Sequence, residues 1–189
     1  MFSLIPGLVF AGHATTACLI GSAGWLLLSH PPLWQTLATD PDFARDAVEE
    51  VLRLEPSTPG MPRIVTADTE LAGIRLAAGD RVYACFISAN HDQGHFPEPD
   101  EFCPSRRSGA SHLGLGRGPH FCLGAPLARL ETRVALQTLA QRLPGLRLAI
   151  AAPRHQPHLI LRGPQELPVT WTSPAGSGPG PTADGRDAI

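Results

Sequence analysis

Residues 115–131 read LGRGPHFCLGAPLARLE, and with Gly114 before them they hold the most informative pattern in the chain. Gly114, Gly116 and Gly118 recur at every second position ahead of Pro119, which sets a tight and unusual backbone path. Glycines there let a flat ligand come close to the main chain. Cys122 follows His120 by two residues, Gly124 follows Cys122 by two, and a helix is expected to open at Ala125. A cysteine just before a helix sits beside free N–H groups and the positive end of the dipole, which favour the thiolate. No G-x-G-x-x-G register fits and no strand leads straight into the stretch, so it is not a dinucleotide loop. No Gly-Lys pair is present, so it is not a Walker loop either.

Working outward, Leu127, Leu130 and Val134, then Leu136, Leu139 and Leu143, fall at helical spacing and predict a helix to about Arg142, closed by Pro144-Gly145. Short strands are expected at 146–150, 158–161 and 168–172. Residues 173–189 read as a disordered tail by composition. Before the glycines, residues 89–118 read mostly as loop, because Pro97, Pro99 and Pro104 forbid long regular elements. A loop this long in a compact chain is usually functional. Residues 62–87 read as strands at 63–66, 70–76 and 82–87, with a turn at Ala78-Gly79-Asp80. Three helices come first, at about 3–28, 31–38 and 41–54. Asp40 caps the third, Pro41 suits its first position, and Phe43, Ala47 and Val51 beside Ala44, Val48 and Leu52 give it a wide apolar face. The fold class expected is mostly α with small β elements.

The chain has 189 residues, 43% hydrophobic and 17% charged, which suits one globular domain with a real core. A net charge of -2 excludes a strongly basic footprint, so no nucleic-acid partner is expected. Cys18, Cys85, Cys103 and Cys122 are widely spaced, without a C-x-x-C pair. They suggest neither a disulfide framework nor a paired-cysteine zinc or iron–sulfur site, and reduced thiols in a cytoplasm are expected. Residues 1–28 are nearly uncharged and long enough to span a bilayer. His13, Thr15, Thr16 and Ser22 interrupt that run, and no Lys or Arg flanks it. A central buried helix is the preferred reading and a membrane anchor the alternative. Asp40, Asp42 and Glu49 read as solvated helix charges. His91 and His95 mimic a zinc pair, but Gly94 and Pro97 argue against a helix between them.

The segment Leu115-Gly116-Arg117-Gly118-Pro119-His120-Phe121-Cys122-Leu123-Gly124 resembles the haem-binding loop of the cytochrome P-450 superfamily, F-x-x-G-x-H/R-x-C-x-G, in its bacterial form. Glu50-Val51-Leu52-Arg53 is similar to that family's E-x-x-R. Phe102-Cys103-Pro104-Ser105-Arg106 is similar to its meander, and Ala11-Gly12-His13-Ala14-Thr15-Thr16 to the oxygen-binding groove of its central helix. The segments fall in the order of the family's C-terminal half. The resemblance implies a partial domain over residues 1–172 that binds haem b through Cys122 as axial thiolate. His120 and Arg63 would meet the propionates, while Gly116, Gly118, Phe121 and Gly124 shape the haem face. Thr15 would line the oxygen site with Gly12 leaving room for dioxygen, and Glu50, Arg53 and Arg106 would form a structural ion network. The implied activity is monooxygenation of a small organic substrate, with electrons from a separate ferredoxin or flavin reductase.

The sequence departs from the family pattern in three places. Ala14 stands where an acid is usual, which removes one member of a proton relay. Leu115 replaces a Phe near the sulfur. Everything before the central helix is absent, so the chain is expected to be truncated, to fold poorly alone or to bind haem weakly. The alternatives are a non-catalytic remnant or mis-called fragment of such an enzyme, and a small membrane-anchored protein.

Overall fold

The computed structural model describes residues 4–106, 112–155 and 158–171. Its helical order begins with α1 (Leu4–Leu28), α2 (Pro31–Thr39) and α3 (Pro41–Leu54). Asp40 caps α3 as the sequence predicts: its Oδ1 accepts the N–H groups of Asp42 at 2.9 Å and Phe43 at 3.0 Å. Two N–H groups that helix geometry leaves unpaired are thereby satisfied. The apolar face of α3 is fully used, with Ala44, Ala47, Val48 and Val51 buried. They pack with Leu19, Ala23 and Leu27 of α1, Trp34 and Leu37 of α2, and Leu136 and Ala140 of α5 (Ala125–Arg142). Each buried Leu or Val in this core contributes roughly 1.5–3 kcal/mol.

The two halves of α1 differ. From Thr16 onward most of its side chains are buried, whereas Leu4, Ile5, Leu8, Val9 and Phe10 are each more than half exposed. By length and composition alone α1 is able to cross a membrane. Leu19, Ala23 and Leu27 already pack against α2, α3 and α5, however, and side chains in that core cannot also face lipid.

Three two-stranded antiparallel sheets complete the described residues. β1 (Gly60–Ile64) pairs with β4 (Arg81–Cys85), β2 (Thr69–Leu71) with β3 (Ile74–Leu76), and β5 (Arg147–Leu148) with β6 (Val169–Thr170). Several expected boundaries move. The strand expected at 63–66 begins three residues earlier and ends at Ile64. The strand expected at 70–76 is a hairpin, turned by Ala72 at φ 49° and Gly73 at φ 81°. Two positive-φ residues form the tight turn that antiparallel strands favour, and Ala-Gly announces it more weakly than Asn-Gly. The strand expected to reach Ile87 stops at Cys85, where the short helix α4 (Phe86–Asn90) carries Asn90 into the interior. No strand forms at 158–161. There the His158 Nδ1 accepts the N–H groups of Ile160 and Leu161, both at 3.2 Å, and so takes donors that a ladder would need. The expected tail at 173–189 lies outside the described residues.

Candidate functional site

The platform of the site is α3. Glu50 and Arg53 share one helix face and are almost wholly buried, at 5% and 2% exposure. Arg53 Nε donates to Glu50 Oε2 at 2.9 Å and Nη2 to Oε1 at 2.8 Å, a two-pronged contact that fixes both planes. The remaining guanidinium donors go to the Asn90, Pro99 and Glu101 carbonyls, and Phe96 lies 5.3 Å from the guanidinium carbon. Arg106 adds Nε to Glu50 Oε1 at 3.1 Å and donates to the Pro97, Glu98 and Glu101 carbonyls. The Cys103 N–H reaches the same carboxylate oxygen. Glu50, Arg53 and Arg106 are therefore brought together as one unit. One carboxylate there faces two guanidiniums, and the remaining guanidinium donors are spent on backbone carbonyls, which is what makes a buried ion network tolerable. Proline-rich residues 97–106 wrap around it without regular structure.

Asn90 connects this unit to the cysteine loop, and sequence reasoning missed it. Fully buried, it donates through Nδ2 to the Arg53 carbonyl at 2.9 Å, and its Oδ1 accepts the Leu113 N–H at 2.7 Å. One asparagine in a short helix carries no sequence signal for that role. Gly114 follows at a point of close approach: a Cβ there would lie 2.1 Å from the Leu52 carbonyl oxygen of α3.

Beyond Gly114 the loop turns back on itself. Gly116 and Gly118 both adopt φ 74°, a region that side-chain-bearing residues disfavour. Residues Gly118–His120 form a single 3-10 turn, closed by the Phe121 N–H on the Gly118 carbonyl. The Cys122 N–H donates to the Leu115 carbonyl at 3.0 Å, so the sulfur-bearing residue is pinned across the loop it ends. Ala125 and Ala128 then donate to the Cys122 and Gly124 carbonyls and α5 begins. Cys122 is a free, partly buried thiol. A Cβ on Gly124 would meet its sulfur at 3.9 Å, an ordinary contact. The side chains beside it, Phe121 and Leu123, are 50% and 91% exposed, so apolar surface flanks the half-buried cysteine.

Of the other expected site residues, His120 belongs to this loop, whereas Thr15 and Gly12 belong to α1 and Arg63 to β1. Thr15 is on α1, where its hydroxyl donates to the Ala11 carbonyl at 2.6 Å. Gly12 is exposed, and a Cβ built there would meet nothing within 4 Å among the described residues. Arg63 is exposed on β1 and donates to the Pro62 carbonyl, and His120 is exposed in its turn.

Glu49 corrects the expectation of a solvated helix charge. Arg129 of α5 grips it with Nε on Oε1 at 2.6 Å and Nη2 on Oε2 at 2.8 Å, and the His112 Nε2 lies 3.1 Å from Oε2. Burial opposes its charge, but hydrogen bonds from Arg129 and His112 outweigh this and hold its pKa at about 2. Nothing in the periodicity of α3 signals this role, because the partners lie 63 and 80 residues away.

A family model for cytochrome P-450 matches residues 4–144. Curated relatives include the mycinamicin IV hydroxylase/epoxidase of Micromonospora griseorubida, 42% identical over 90% of this chain and 44% of that protein. The erythromycin C-12 hydroxylase of Saccharopolyspora erythraea is 44% identical over 91% of this chain and 43% of that protein. Among solved structures, cytochrome P-450 CREJ in complex with (4-ethylphenyl) dihydrogen phosphate superposes with a TM-score of 0.86 at 38% identity, over 90% of this chain and 42% of that one. A mutant of P-450 EryK in complex with erythromycin B gives 0.84 at 42% identity. The chain thus spans less than half the length of the relatives it matches. With a family model over residues 4–144, relatives above 40% identity across about nine-tenths of it and backbones that superpose at TM-scores of 0.84 and 0.86, the chain belongs to the cytochrome P-450 family.

Proposed function

We propose that this chain supplies the haem-thiolate end of a monooxygenase that inserts one atom of O2 into a small organic substrate. The observation that carries the proposal is Cys122: a free thiol pinned through its own N–H, at the mouth of α5, on a loop whose glycines leave the backbone bare. The donor set fits haem b. A cysteine sulfur is the soft ligand such an iron takes, and exposed Phe121 and Leu123 offer apolar surface to a flat macrocycle. When bound through a thiolate, haem supplies an iron able to activate dioxygen.

The chain's own residues take the remaining parts. Gly116, Gly118 and Gly124 keep side chains away from the face that Cys122 presents. His120 and Arg63, both exposed, would donate to the propionate carboxylates. Thr15 holds a hydroxyl proton on α1, and Gly12 leaves space beside it. Ala14 carries no carboxylate, so proton delivery to Thr15 falls to water or substrate. Glu50, Arg53 and Arg106 hold the scaffold and take no part in chemistry. A separate ferredoxin or flavin reductase supplies electrons, and the setting is cytoplasmic.

A second reading, a non-catalytic fragment, is favoured by the exposed apolar residues Leu4, Ile5, Leu8, Val9 and Phe10, a patch of the kind that marks an interface. Both readings are tested by adding haemin to the chain, reducing it and binding carbon monoxide. Weak binding with a thiolate-type Soret band, lost in Cys122→Ser, is the expected result. A band unchanged by that substitution would overturn the ligand assignment, and no haem binding at all would leave the fragment reading standing.

A further inference from the structure

The three groups Glu49, His112 and Arg129 form a second constellation, separate from the Glu50 network although their anchors are adjacent in α3. The protonation of His112 follows from its contacts. The Gly114 N–H lies 3.1 Å from Nδ1 and can only donate, so Nδ1 is an acceptor. In the neutral ring the proton then sits on Nε2, which faces Glu49 Oε2 at 3.1 Å and donates to it. The relay therefore runs from the Gly114 N–H through the imidazole to the carboxylate of Glu49. On its other side that carboxylate takes two parallel bonds from Arg129.

These partners sit at opposite ends of the same loop. His112 and Gly114 are the entry to the Cys122 segment, at the place where the backbone touches Leu52. Arg129 is on α5, about one helical turn past its start at Ala125, at 3.6 residues per turn. Asn90 holds the entry independently, through the Leu113 N–H, but makes no hydrogen bond to α5 among the described residues. Glu49 is thus the group that ties entry and exit to one point on α3. We propose that Glu49 is a positioning residue for Cys122, closing both roots of the cysteine loop through His112 and Arg129 and so setting where the sulfur stands. This rests on the haem-thiolate reading for its purpose, but not for its geometry.

The test uses the full chain. In the absence of haem, Glu49→Gln is expected to speed amide hydrogen exchange roughly tenfold or more in peptides covering 112–128, as loss of a charged hydrogen bond at each root implies. Exchange in α2 should stay as in the wild type. His112→Phe, which spares the Glu49–Arg129 pair, should speed exchange at 113–118 and leave α5 unchanged; it also keeps the test decisive if Glu49→Gln fails to fold. Equal exchange in wild type and His112→Phe would overturn the proposal whatever happens with haem. With haemin and carbon monoxide added, Glu49→Gln should bind haem while shifting the spectrum from the thiolate-type band toward the blue-shifted form, a change that general loosening away from the loop would not produce. A wild-type spectrum that is itself not thiolate-type would instead count against the haem-thiolate reading, leaving the exchange result to judge Glu49.

Discussion

The two sides of this molecule treat polar side chains in opposite ways. Beneath the cysteine loop, Glu50, Arg53 and Asn90 are buried and make many bonds to backbone, side chain or both. On the open side, Thr15 makes one local helix bond, Arg63 reaches its neighbour's carbonyl, and His120 is exposed. Polar groups that support a fold must be satisfied by the fold, because burial without partners is costly. Groups meant for a ligand have no such requirement. The contrast separates a buried scaffold from polar groups that the fold itself leaves largely unspent.

The sharpest way to break the contrast is to cut the scaffold. Arg53→Ala should destabilise the chain by about 3–5 kcal/mol, because Glu50 would remain buried with half its partners gone. Urea unfolding followed by tryptophan fluorescence reads this through Trp34, which is in the same core; a loss below 1 kcal/mol would mean the network is not what holds residues 97–106. Next in size is Gly114→Ala. With a Cβ 2.1 Å from the Leu52 oxygen, the loop must lift off α3, at roughly 1–3 kcal/mol in thermal melts. Unchanged melting would show that the loop does not touch α3 there.

Acid titration sharpens the comparison further. The Glu49 carboxyl is held at about 2 against an ordinary 4.5, so its pKa is depressed in the folded state. A depressed carboxyl contributes stability that is full above the unfolded value and is lost as pH falls through the folded one. Stability should therefore decline between about pH 4.5 and 2 in the wild type, and Glu49→Gln should flatten that decline. Parallel acid limbs would mean that Arg129 and His112 do not hold the charge. The smallest effect belongs to the open side. Thr15→Ala should change stability by no more than about 0.5 kcal/mol, since it removes one exposed bond within a helix. A larger loss would move Thr15 from the ligand side to the scaffold.

The linear order of residues determined a good deal. Helical spacing, the Asp40 cap and the placement of prolines located α1, α2, α3 and α5, because local geometry and periodicity write such elements into consecutive residues. The glycine pattern around Cys122 marked the loop for the same reason: positive φ and close approach select residue types directly. Short-range signals misjudged the hairpin at Ala72-Gly73, the helix α4 and the segment at 158–161, where a turn, a buried asparagine and a histidine ring overrode strand propensity. Only the tertiary structure decided that Glu49 is clamped rather than solvated, that Asn90 links α3 to the loop, and that α1 is core in one half and exposed in the other. Each of those outcomes depends on a partner dozens of residues away. A hydrogen bond across such a distance leaves no period and no spacing to read; it exists only once packing has brought its two ends together.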